Sequence, residues 1–337
     1  MALSVPSLLA LAAVSTAVVY VGSRWLERSS ERLATHYGLP PVVHGAIVVA
    51  VGSSFPEFSS AVLATMLHGS FDLGVAAIVG SAIFNILVIP AASTLAGGGQ
   101  LDANRDLVYK EAQFYMVAVA VLLLTFSFAV IYEPVAGGSL RGVVTREMAL
   151  IPLALYGLYI FVQYLETVEH EPSESGGVDA VWRHWLLLAV ALVTILVSVE
   201  GLLRAAIGLG DALGTPSALW GVTVVAAGTS LPDAFVSVRA ARRKDGVVSM
   251  SNVLGSNIFD LLVAVPAGVL VAGGTAVNFA DAVPLMGALT FATIALFATL
   301  RTEMELTRRE AELLMALYAG FVLWMALETL GVTSYVF

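Results

Sequence analysis

Glu57, Asp233 and Asp260 lie deep inside apolar stretches, and each has hydroxyl residues close by in sequence. Gly52–Ser60 reads GSSFPEFSS and Gly228–Val236 reads GTSLPDAFV; GSAIFN (80–85) and GSNIFD (255–260) complete the set. A carboxylate at bilayer depth is costly, so its first reading is functional. Pro56 has no N–H and crowds the carbonyl of Gly52, and Pro232 does the same to Gly228. Both helices are therefore expected to kink or unwind over Gly-Ser-Ser and Gly-Thr-Ser. Carbonyls freed in this way persist in a membrane only where they face a cavity or a ligand. The donors are all oxygens: carboxylates of Glu57, Asp233 and Asp260, hydroxyls of Ser53, Ser54, Ser81, Thr229, Ser230 and Ser256, amides of Asn85 and Asn257, and backbone carbonyls. Such a set suits a hard cation such as Ca²⁺. Zinc or copper would want His or Cys, and an anion would want Arg or Lys. Two carboxylates match one divalent ion, or two monovalent ions or protons. Because one set of oxygens cannot hold both loads at once, the chemistry it points to is exchange.

The elements that must hold these groups are membrane helices. Of 337 residues, 58% are hydrophobic and 12% charged, about half the charged share of a soluble domain, and mean hydropathy is +0.90. There is no cysteine, so neither a disulfide nor a thiolate site arises. Arg24 and Arg28 follow the first apolar run, which marks a spanning helix, not a cleaved leader. Hydropathy predicts ten helices, at roughly 5–24, 42–67, 72–96, 109–132, 147–165, 184–209, 217–240, 246–272, 279–300 and 310–334. Thirteen Arg and Lys fall after the odd-numbered helices and three (Arg141, Arg146, Arg204) on the other side. That imbalance predicts extracytoplasmic termini in a plasma-membrane protein.

An internal repeat organises the ten. GAIVVAVGSSFPE (45–57) aligns with GVTVVAAGTSLPD (221–233) at an offset of 176, and GSAIFNILV (80–88) with GSNIFDLLV (255–263) at 175. Six of nine positions in the second pair are identical. Five helices per copy is an odd number, so the copies enter the membrane from opposite faces, as inverted repeats of secondary transporters do. The expected organisation is a first repeat at 1–165, an acidic cytoplasmic loop at 166–183 (Glu166, Glu169, Glu171, Glu174, Asp179) and a second repeat at 184–337. The expected fold is all-α, ten transmembrane helices in two inverted five-helix repeats.

Other polar residues read as structural. Glu200 pairs with Arg204 at i, i+4. His44 and His68 are expected at the interface, Glu328 near the surface, and Arg242–Arg243–Lys244 as a topology signal.

The paired motifs resemble the two alpha-repeats of the sodium/calcium exchanger family, within the calcium/cation antiporter superfamily. The resemblance covers the whole ten-helix plan. It implies an ion site built from helices 2, 3, 7 and 8, with helices 1 and 6 sliding across them. By motif position it implies calcium ligands Ser53, Glu57, Thr229 and Asp233. It implies sodium sites that add the carbonyls of Ala50 and Ala226 with Ser54, Ser81, Ser230 and Ser256, and Asn85 and Asp260 at the centre. Asp233 stands where many prokaryotic members have Glu; one methylene shorter, it reaches less far. Ser53 stands where they more usually have Thr. GSSFPE, GTSLPD and GSNIFD are similar to the potassium-dependent branch, in which the acid at the Asp260 position is associated with potassium.

The expected function is Ca²⁺/Na⁺ antiport by alternating access, with no cofactor, no nucleic acid and no protein partner. A proton/calcium antiporter and a potassium-dependent exchanger are the alternatives. An intramembrane hydrolase using Glu57 and Asp233 as an acid pair, or an open channel, would need other surroundings than a symmetric shell of ligand oxygens.

Overall fold

The apolar stretches fold as long helices in the computed structural model, which describes residues 3–37, 50–105, 107–136, 140–167, 180–333 and 335. Among the described residues nine helices are long and apolar enough to cross a membrane. These are the first span, Val5–His36, the third, Phe71–Ala96, the fourth, Leu107–Tyr132, and the fifth, Arg146–Leu165. The sixth is Val181–Leu213, the seventh Ser217–Arg242, the eighth Gly246–Ala272, the ninth Phe279–Leu300 and the tenth Arg308–Thr329. The second span is described as Ala50–Ser53 and Phe55–His68. The rest of its predicted range, with His44, lies outside the described residues, as do Glu169, Glu171, Glu174 and Asp179 of the acidic loop.

Two spans run well past their hydropathy limits. The first continues twelve residues beyond 24, and the sixth begins and ends outside 184–209. Packing explains this: Leu26, Leu33 and Ala34 extend the buried stripe of the first, and Leu209 and Gly210 that of the sixth. The two lie against each other along a surface of small residues. A Cβ at Gly22 would press on Ile195, and Cβ atoms at Gly201 and Gly208 would press on Ser15 and Leu8. Close approach over small residues is how membrane helices gain packing energy where lipid offers no hydrophobic drive.

The inverted repeat is visible in the backbone. Gly69 and Lys244, 175 residues apart, both adopt a left-handed conformation (φ 59° and 64°). The residues after them, Ser70 (φ −116°, ψ 77°) and Asp245 (φ −111°, ψ 72°), cap the third and eighth spans with nearly the same dihedrals. Four short strands repeat the pattern: β1 (Gln100–Asp102), β2 (Arg141–Val144), β3 (Thr275–Asn278) and β4 (Glu305–Thr307). β1 pairs with β4 and β2 with β3, both antiparallel. Each ribbon thus takes one strand from each half. One ribbon closes the membrane face that carries Arg105, Arg301 and Arg308, and the other closes the opposite face.

The third and eighth spans are the most enclosed helices, and large apolar side chains such as Leu124, Phe161, Val197, Phe291 and Leu323 point outward. An apolar exterior around a polar centre is the arrangement a bilayer requires. The fold is all-α and membrane-embedded, ten helices in two inverted five-helix repeats.

Candidate functional site

Glu57, Asn85, Asp233 and Asp260 come from the second, third, seventh and eighth spans, and each is at most 1% exposed. Ser54, Ser81, Thr229, Ser230 and Ser256 are buried with them, whereas Ser53 is half-buried. Apart from Ser53, the site residues described with side chains are therefore all buried in the helix bundle. Ala50 and Ala226 contribute backbone only; the Ala226 carbonyl accepts the Thr229 hydroxyl at 3.2 Å.

The two proline helices differ from each other. The second span breaks at Ser54 (φ −91°, ψ 8°), two residues before Pro56. This is the expected interruption. The seventh span does not unwind at Gly228–Ser230: it is α-helical from Ala226 to Arg242, through Pro232. Its irregularity lies earlier, in a π-helical turn at Gly221–Val225. Close backbone approach accompanies that displacement: a Cβ at Gly80 would collide with the main chain of Val222, and one at Gly221 with Leu73. A second π-helical turn, Asp260–Ala264, begins at Asp260 itself. Pro266 denies the Leu262 carbonyl its α-helical partner, and the wider turn accommodates this. Wide turns of this kind recur at functional sites.

Hydrogen bonds join the halves at equivalent positions. Ser81 and Ser230 share a hydrogen bond of 2.6 Å, and Ser81 Oγ also donates to Glu57 Oε1 at 3.4 Å. The symmetry-related pair is looser: Ser54 Oγ donates to the Ser256 carbonyl at 3.5 Å. Asn85 Nδ2 donates to Asn257 Oδ1 (3.0 Å), and Asn257 Nδ2 donates to the carbonyl of Ala82 (3.2 Å), its own counterpart in the other half, and to Tyr115 Oη (3.3 Å). The pseudo-twofold axis passes close to this contact.

What remains unmet is the negative charge. Glu57 Oε2, Asn85 Oδ1 and both carboxylate oxygens of Asp233 and Asp260 are buried without a hydrogen-bond partner. The hydroxyls of Ser53 and Ser256 and the Asn252 amide act on Asp233, and the Ser54 hydroxyl on Asp260. The three carboxylates act electrostatically on one another. Burying one unpaired charge costs several kcal/mol, so three acids do not sit here for stability. Among the described residues, no group of three His, Cys, Asp or Glu side chains closes into one metal cluster. An ion at this centre would thus draw hydroxyl, amide and carbonyl oxygens as well as carboxylates.

A model of the sodium/calcium exchanger protein family matches residues 7–165 and 183–327. The chain belongs to the sodium/calcium exchanger family. Over 259 residues it is 30% identical to membrane protein MJ0091 of Methanocaldococcus jannaschii, covering 75% of this chain and 78% of that one. The sodium-calcium exchanger NCX_Mj, in a structure soaked with Na⁺ and Sr²⁺, superposes with a TM-score of 0.62 at 25% identity, over 95% of this chain and 99% of the other. An H⁺/Ca²⁺ exchanger, CAX, shares the fold with a TM-score of 0.72 at 16% identity, over 94% and 82% of the two chains.

Around these buried polar residues the structure adds groups that the motifs omit. Asn252 donates to Ser237 at 3.1 Å beside Asp233. Tyr156 of the fifth span meets Phe259 edge-on at 5.7 Å, and Tyr318 of the tenth meets Phe84 at 5.6 Å. The phenylalanines are 175 residues apart, and LALYG (153–157) against MALYA (315–319) carries the tyrosines. That second offset, 162, is the signal that finds them in the sequence. Outside the site, Glu200 accepts from Arg204 Nε at 2.6 Å, as expected, and also meets His68 Nε2 at 2.9 Å. Glu328 corrects the surface expectation: it is 7% exposed and accepts from Trp324 Nε1 and the Tyr335 amide.

Proposed function

We propose that the chain exchanges Ca²⁺ for Na⁺ across the plasma membrane by alternating access, with extracytoplasmic termini, with 1–165 and 184–337 as its two inverted repeats, and with the first and sixth spans sliding across the rest. One observation carries the reading: buried carboxylate oxygens without partners converge from both halves. In this reading Ser53, Glu57, Thr229 and Asp233 hold calcium. The carbonyls of Ala50 and Ala226, with Ser54, Ser81, Ser230 and Ser256, serve sodium once calcium leaves. Neutral oxygens beside the acids favour sodium over protons, because a proton needs only a carboxylate. The small-residue seam between the first and sixth spans supports their sliding together as one unit across the rest. Calcium and sodium are cargo, not resident cofactors.

Asp260 supports a second reading. Glu57, Asp233 and Asp260 together carry one negative charge more than a calcium ion neutralises. Potassium beside calcium, or a proton on Asp260, would remove the excess. Calcium uptake into proteoliposomes loaded with sodium tests both readings. Uptake driven by the outward sodium gradient is the expected result; a requirement for potassium selects the second reading. Uptake driven by a proton gradient alone overturns sodium coupling.

A further inference from the structure

A small cavity lies beside Ser53 and Asn252, on the side of Arg24 and Arg239, lined by the first, second, seventh and eighth spans. Its volume is about 30 Å³, enough to hold a water-sized occupant. Ser53 forms its inner end, and Ser23, Glu27, Ser30, Asn252 and Arg239 are among its walls. Five of these side chains offer an oxygen, whereas Arg24, Pro232, Phe235 and Val236 make the rest of the wall cationic or apolar.

Glu27 is the acid of this chamber. It is half-buried, and its charge reaches Asp233. Arg24, Arg28 and Arg239 lie around it, with Glu31 on its own helix. Among the described residues, none of these arginines forms an ion pair with it. Arg24 also lines the cavity, with its guanidinium 5.7 Å from the centre of the Tyr20 ring. Ser23 supplies an independent observation: its hydroxyl is 4% exposed, lines the cavity and has no hydrogen-bond partner. An unmatched hydroxyl and an unpaired carboxylate facing a space for one ion describe a ligand set without its ligand.

We propose that Glu27, with Ser23 and Asn252, forms a staging site at which a cation sheds water before it reaches Ser53 and Asp233. The site takes a hard cation, calcium or sodium, one at a time. The arginines around Glu27 offset its charge when the chamber is empty, so an ion enters without being trapped. The cation's identity rests on the exchange reading above; the existence of a cation site here does not.

Two measurements test it. In oriented proteoliposomes Glu27→Gln should raise the half-saturating calcium concentration by about tenfold at the arginine-rich face, the loss of one charge-assisted contact. The value at the other face and the maximal rate should hold. Glu31→Gln, an exposed acid one turn away, should change neither. Equal shifts at both faces, or no shift, overturn the proposal. Terbium luminescence of purified protein carrying Asp233→Asn provides the second test. A binding phase should remain and should vanish when Glu27→Gln is added. Persistence of that phase in the double variant also overturns it. If wild-type protein carries no calcium yet this phase depends on Glu27, the exchange reading fails and the site stands. If exchange occurs and Glu27→Gln is silent in both tests, the site fails and the exchange reading stands.

Discussion

The two copies of the ion motif share a pattern yet differ in tightness. In the second copy, Thr229 is 1% exposed, and Ser230 is bound at 2.6 Å to Ser81 of the opposite half. A Cβ at Gly228 would press on Thr16 and Leu202. In the first copy, Ser53 faces a cavity, Ser54 reaches only a carbonyl at 3.5 Å, and a Cβ at Gly52 would meet nothing closer than ordinary contact distance. The first copy breaks at Ser54, whereas the second runs on as helix through its proline. Beside the first copy lies a cavity with Ser53, Ser23 and Glu27 on its wall; beside the second, Leu73, Ala77, Val199, Leu202 and Val225 pack into one apolar cluster. Near-identical motifs do not dictate this difference. It is set by how the first and sixth spans lie on the other helices.

The largest effect should be symmetric and should ignore this difference. Glu57→Gln and Asp233→Asn should each lower calcium exchange by roughly 100-fold or more, because each removes one charge partner from a dry site. Size-exclusion profiles should stay unchanged. Retained exchange in both variants would break the assignment of the two acids as equivalent ligands.

The next effect should be asymmetric. Gly80→Ala places a methyl against the main chain of Val222, which cannot move aside as a side-chain tip can. It should cost about 3 kcal/mol or more. Gly255, its counterpart, has open space at the same position, and Gly255→Ala should change stability by less than about 1 kcal/mol. Thermal unfolding in detergent checks the pair, and equal shifts would contradict the packing difference. Asp260→Asn makes the eighth span match Asn85 of the third. Exchange should persist, with about a tenfold change in the half-saturating sodium or potassium concentration; an unchanged monovalent-ion profile would count against Asp260. The smallest effect belongs to the edge-on aromatic pairs. Tyr156→Leu and Tyr318→Leu should each lose about 1 kcal/mol, by the same amount if the halves carry these contacts equally.

The acids, hydroxyls and prolines were legible in the sequence because each violates what a membrane helix prefers, and the shared offset tied them together. The helix cores were legible from hydropathy because they are uniformly apolar. The ends of the first and sixth spans were not, since hydropathy reports contact with lipid, and those ends are set by Leu26, Leu33 and Leu209 packing on protein. The continuous seventh span was hidden too. Pro232 predicts a break, but the irregularity moved to Gly221–Val225, where Gly80 and Gly221 let backbones touch. Asn257, whose amide links Asn85, Ala82 and Tyr115, sits opposite an alanine, so the repeat alignment gave no reason to rank it. The strands are three or four residues long and find partners more than a hundred residues away, beyond any local pattern.

Those ribbons carry a consequence for the origin of the molecule. A single five-helix half would leave one strand bare on each side of the bilayer, with every edge N–H and C=O lacking a mate. A second half inserted the same way up would set like strands on like faces, β1 beside β1. A copy inserted upside down brings the strand each face lacks. A gene for one half, read into the membrane in both orientations, would already make a closed pair, and joining two such genes end to end would only fix an assembly that the strand edges had chosen.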